Sequence, residues 1–159
     1  MKERTSPRRA CFRARGSALV EFALVALLFL SIVFLSFNFF FWTFAKAALH
    51  NAVREGARYA ITGQTSGSSQ DSSIRQVVRN NAFGLLAATP DSSIQMDYYT
   101  PDGTLTTSNA AGNIIVVSVV GFTPATIAPS ILLGFPMSSG MSARAVDKVE
   151  PYSGAPPTR

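Results

Sequence analysis

Phe22 to Trp42 reads FALVALLFLSIVFLSFNFFFW, and no residue in that run carries a charge. Its polar interruptions are Ser31, Ser36 and Asn38. At a helical rise of 1.5 Å, about twenty such residues cover the roughly 30 Å hydrocarbon core of a bilayer. A cleaved secretory signal has a shorter apolar region closed by a small-residue cleavage site, whereas this run leads straight into helix-forming sequence, so the span is expected to stay in the product. Lys2, Arg4, Arg8, Arg9, Arg13 and Arg15 precede it and Lys46 alone follows closely. That asymmetry predicts a cytoplasmic N-terminus and an outward-facing C-terminal domain.

The same stub explains the charge of the chain. The 159 residues carry a formal charge of +5 and a pI near 9.9, values that invite a nucleic-acid reading. Residues 1–16 hold the six cations above against Glu3, which leaves eight of the 14 basic and eight of the nine acidic residues for the rest. These are scattered without a basic patch, so nucleic-acid binding loses its support. The single cysteine, Cys11, also lies in the stub, which excludes a disulfide framework or a cysteine metal site. An extracytoplasmic domain of this size without disulfides depends on packing, including the long helix and neighbouring subunits.

Thr43 to Thr62 contains no proline and only Gly56, and its alanines, Leu49, Arg54, Glu55 and Arg58 favour helix. The helix is therefore expected to continue, as a rod from Ser17 to about Tyr59 on the order of 65 Å long. Leu49, Ala52, Val53, Gly56, Ala57 and Ala60 recur at three- and four-residue spacing, a face for a small sheet to cover. The polar stretch from Gly63 ends the rod. Ser73 with Gln76 has the form of a capping box, and Ile74, Val77, Val78, Ala82, Leu85 and Leu86 predict a second helix over Ser73 to Ala87. Ile94, Met96 and Tyr98 alternate with polar neighbours in a strand, Pro101-Asp102-Gly103 makes a turn, and the β-branched run Asn113 to Phe122 reads as the central strand. Met141 to Val149 supplies another, Thr123 to Pro136 an apolar loop, and Pro151 to Arg159 a mobile tail. The expected class is α+β: a long N-terminal transmembrane helix, then a small domain with a second helix and a three- or four-stranded antiparallel sheet. Its divisions are a basic leader (1–16), the span and its extension (17–62), a linker (63–72), the domain (73–150) and the tail (151–159).

At the head of the span stands Arg15-Gly16-Ser17-Ala18-Leu19-Val20-Glu21-Phe22. A peptidase at the cytoplasmic face needs an extended, unhindered backbone, which glycine permits. A carboxylate entering a span is costly, and Glu21 has no Lys or Arg between Arg15 and Lys46 to pair with. Cleavage between Gly16 and Ser17 would supply a cation, the new N-terminal amine. Gly16, Glu21 and Phe22 at these spacings resemble the prepilin peptidase site of type IV-like pilins and pseudopilins. With Val53-Arg54-Glu55-Gly56-Ala57-Arg58-Tyr59-Ala60 just beyond the span, the chain closely resembles the TadE-like family, pseudopilins of the tight-adherence (Flp) pilus. The two motifs cover about the first 60 residues. The resemblance implies an envelope protein of the bacterial inner membrane, matured by a prepilin peptidase and working with other pilus subunits and the inner-membrane assembly machinery in adherence and biofilm formation. It also implies that Glu21 neutralises the N-terminal amine of an adjacent subunit. Family members often have proline a few residues into the span, where this chain has Leu27, which implies a straighter helix.

The remaining polar groups suggest no catalysis. His50 is the only histidine, without a cysteine or acidic cluster beside it, and there is no Ser/His/Asp set, phosphate loop or HExxH. No enzyme, cofactor or metal is expected. Ser36 and Asn38 either bond across helices or are satisfied locally. Phe34, Phe37, Phe39, Phe40, Phe41, Trp42 and Phe44 form an interfacial aromatic belt, or a filament-packing stripe. Arg54, Glu55 and Arg58 make a local ion pair or dock a partner near the membrane. Alternatives to a polymerised pseudopilin are an unpolymerised assembly scaffold of a pilus or type II-like secretion system, and a membrane-tethered binding module or enzyme that keeps its leader.

Overall fold

The computed structural model describes residues 8–65, 69–125, 140–151 and 156–159, with residues 8–15 described as backbone only. Helix α1 spans Arg8–Ile61, α2 Gln70–Asn81, and strands β1 to β4 span Ile94–Tyr99, Leu105–Thr106, Ile114–Phe122 and Met141–Lys148. A short 3-10 turn at Asp91–Ser93 leads into β1. The architecture is α+β, as the sequence predicts. The chain divides into two units, with the division in α1 falling between Phe39 and Phe40.

In the first unit, α1 begins in the leader rather than at Ser17, and it runs without interruption through Leu27. From Gly16 onward it is long and apolar enough to cross a membrane, with a peak mean hydropathy of 2.7, and no part of that apolar window is buried. Ser31 Oγ donates to Leu27 O at 2.7 Å, Ser36 Oγ to Ile32 O at 2.9 Å and Asn38 Nδ2 to Phe34 O at 3.0 Å. Each polar side chain of the span thus bonds the preceding helical turn, a local satisfaction that suits a hydrocarbon setting.

In the second unit, all strand pairs are antiparallel and the sheet order is β2-β1-β3-β4. Alternation puts Ile94, Met96 and Tyr98 of β1, Ile115, Val117 and Val119 of β3, and Met141, Ala143 and Ala145 of β4 in the core. Leu49, Ala52, Val53, Ala57 and Ala60 of α1 join them, with Ile74 and Val78 of α2. The expected helical face is therefore the buried one. Gly56 is required by packing: a Cβ there would collide with Val78 Cγ2 and lie 3.6 Å from Val117 Cγ1 and 3.7 Å from Ile74 Cγ2. In β3 the register shifts between Val119 and Phe122, with Gly121 at φ +73°. This irregularity returns Phe122 to the core, opposite Met141.

Three expectations are corrected. Helix α2 starts at Gln70 rather than Ser73, because Ser69 is the cap and its Oγ accepts from Ser72 N at 3.2 Å. It stops at Asn81 rather than Ala87, because Phe83 and Gly84 take left-handed backbone at φ +51° and +79°. The intervening polar connector is correspondingly shorter than 63–72. The end of the expected tail makes several contacts with the domain. Arg159 Nη1 donates to Thr107 O at 2.6 Å, its guanidinium pairs with Asp71 at 3.2 Å, and it lies 4.4 Å from the Tyr98 ring centroid. Gln70 N donates to Thr158 O at 2.8 Å and Asn109 Nδ2 to Pro157 O at 2.8 Å. The buried Gln70 side chain also donates to Ala60 O at 3.0 Å and accepts from Asn109 Nδ2. One amide pair thus ties the end of α1, the start of α2 and the tail together. Of the expected apolar loop over Thr123 to Pro136, residues 126–136 lie outside the described residues.

Candidate functional site: the two α1 motifs

The two motifs that the sequence singles out fall on different units and are built separately. At the first, Gly16, Ser17, Glu21 and Phe22 are helical and exposed. The backbone at Gly16 is helical and not extended. A Cβ added at Gly16 would meet nothing within 4 Å. Unlike Gly56, Gly16 therefore has no packing reason among the described residues to be glycine, although a glycine inside a helix costs about 1 kcal/mol relative to alanine. The Glu21 side chain has no hydrogen bond or ion pair among the described residues. Its carboxylate is presented outward from an apolar helix surface with Leu19, Val20, Phe22 and Leu24 also exposed.

At the second motif, helical spacing sorts six successive residues by role. Gly56 and Ala57 face the core, Glu55 and Tyr59 are half-buried, and Arg54 and Arg58 are exposed one turn apart. Tyr59 packs against the core cluster. Arg54, Glu55, Ala57 and Arg58 line a cleft of about 450 Å³ whose other wall is Arg144, Ala145, Val146 and Asp147 of β4. Four consecutive strand residues can line one cleft only when the strand's backbone edge forms its wall, since successive side chains point to opposite faces. Strand β4 is an outer strand of the sheet, eight residues long and free of proline. The opposite edge strand, β2, has two residues.

Of the two readings left open for these residues, the local ion pair is absent: among the described residues, the side chains of Arg54, Glu55 and Arg58 take part in no salt bridge or hydrogen bond. Arg144 and Asp147 are the residues that sequence reasoning missed here. The strand that carries them was expected from the sequence, but their place beside the helix motif depends on β4 being the outer strand, which only the pairing order reveals.

Two other features bear on the membrane boundary. Lys46 Nζ lies 5.6 Å over the Trp42 ring, and Trp42 also packs against the core. Part of the aromatic belt therefore belongs to the domain. His50 is exposed, and among the described residues no three His, Cys, Asp or Glu side chains gather to hold a metal.

No curated protein and no solved structure matches the chain. Residues 16–58, which hold the span, the first motif from Gly16 and the second as far as Arg58, match the family model described as TadE-like protein, and over that stretch the chain is similar to this Tad pilus-related family.

Proposed function

We propose that the protein is a minor pilin or pseudopilin of the tight-adherence pilus, anchored in the bacterial inner membrane with its domain outside, and matured by a prepilin peptidase that cuts after Gly16. The observation that carries this reading is the pairing of a glycine with no packing neighbour and, five residues on, a carboxylate with no side-chain partner, both among the described residues, at the head of an unburied apolar helix. Cleavage places the amine of Ser17 about one helical turn from Glu21, roughly 6 Å along the axis. Pairing within one chain is strained there, so the amine of a neighbouring subunit is the better complement. Assembly then satisfies a charge that is expensive to leave alone in lipid. The cleft between Arg54, Arg58 and the edge of β4 supplies a second contact surface for partner subunits. The role is one of assembly, adherence and biofilm formation and not of catalysis.

The test is N-terminal sequencing and intact mass of the protein from native membranes, beside Gly16→Val and a peptidase-null strain. The expected product starts at Ser17 and loses that start in both controls. An intact Met1 in the wild-type strain refutes the maturation. Absence from sheared pilus fractions, with processing intact, favours the unpolymerised scaffold.

A further inference from the structure

From Asn80 to Pro90 the chain has no charged residue, and in the middle of this run Phe83 is 69% exposed. Phe83 is also the only non-glycine residue with positive φ among the described residues. Left-handed backbone disfavours a large side chain, and water disfavours an exposed ring, so neither local structure nor solvent accounts for phenylalanine here. Its ring centroid lies 6.1 Å from that of Phe44, one residue from the end of the uncharged stretch that closes before Lys46. Leu85, Ala88 and Pro90 from the same turn border an apolar-sided cavity of about 520 Å³ together with Phe41 and Phe122.

Part of the turn's backbone is satisfied within the turn itself. Leu85 N donates to Ala82 O at 3.0 Å, Ala87 N to Gly84 O at 3.1 Å and Thr89 N to Leu86 O at 3.2 Å. The carbonyls of Leu86 and Thr89 accept from the guanidinium of Arg79, which is itself paired with Asp91. Internal satisfaction of backbone polar groups is what a segment needs where water is scarce. We infer that the 82–90 turn, led by Phe83, seats the domain in the interfacial layer of the outer leaflet beside α1. This is a second lipid contact that fixes the domain's height and rotation on the membrane. The inference rests on the membrane anchoring proposed above, and aromatic side chains at a membrane boundary suit that layer.

The full chain is reconstituted in phosphatidylcholine vesicles with acyl-chain-brominated phosphatidylcholine as quencher. Single-indole versions are native Trp42, Phe83→Trp in a Trp42→Phe background, and Leu105→Trp in the same background; Leu105 is equally exposed, on β2. The expected result is a blue shift and quenching at position 83 comparable with Trp42, and little of either at position 105. Quenching of Trp42 without quenching at 83 overturns the inference and leaves the anchoring standing. Failure at both sinks the anchoring as well. Protection of position 83 from both brominated lipid and aqueous iodide overturns the inference in favour of a protein partner. Phe83→Cys carrying an environment-sensitive label, in a Cys11→Ser background, gives the same readout without an indole.

Discussion

Gly56→Ala sets two physical effects against each other. On helix propensity alone, alanine in a helix interior gains about 1 kcal/mol over glycine. The packing says otherwise, because the new methyl collides with Val78 Cγ2. Val78 is fully buried in α2, and a β-branched side chain in a helix has one strongly preferred χ1 rotamer, so it cannot swing aside. Relief requires a shift of α2 against α1, and overpacking of this kind costs about 1–3 kcal/mol. The net expectation is a loss of about 1 kcal/mol, or about 4–8 °C in the melting midpoint of a domain this size. Val78→Ala alone opens a void at a fully buried position and destabilises by about 2 kcal/mol. In the double variant the alanine methyl occupies part of that void, so it is more stable than the sum of the single changes by about 1 kcal/mol. Thermal unfolding of the full chain in detergent, followed by near-UV circular dichroism and protease resistance, measures all three. A Gly56→Ala protein at least as stable as wild type, with additive energies, refutes the reasoning.

Gly16→Ala, where a Cβ meets nothing within 4 Å, leaves the domain's melting midpoint unchanged while it impairs maturation; a lowered midpoint contradicts a purely processing role. Glu21→Ala leaves folding and membrane insertion intact but reduces pilus production and surface attachment, scored by sheared-pilus yield and biofilm mass. Asn109→Ala strips the Gln70 side-chain oxygen and the Pro157 carbonyl of a donor and lowers stability by about 1–3 kcal/mol in the same melt. Arg159→Ala removes the contacts to Asp71, Thr107 and the Tyr98 ring, and it is expected to release residues 156–159 to carboxypeptidase; unchanged protection refutes the pinning.

How much was legible in advance varied with the range of the interactions. The span, its helical continuation and the buried face of Leu49, Val53 and Ala57 follow from composition and period, which are local quantities. Strands β1, β3 and β4 were visible from alternation and β-branched residues, and β2 was too short to register as more than a fourth-strand option. Helix α2 starts earlier than the Ser73 capping box suggests because Ser69 caps it, which leaves Ser73 inside the first turn. Its early end depends on the left-handed turn at Phe83 and Gly84, since the hydrophobic period continues to Leu86.

By itself the sequence determined the α+β class, the uncharged helix, the isolated acid at its head and the glycine before it, because charge and apolar length act residue by residue. Tertiary structure decided which of the two α1 glycines serves packing, that Arg54 and Arg58 face the open edge of β4, and that a polar tail is held by Gln70, Asn109 and Asp71. Those outcomes depend on contacts between residues far apart in the chain, and such contacts exist only once the sheet has ordered its strands and the helices have closed over it.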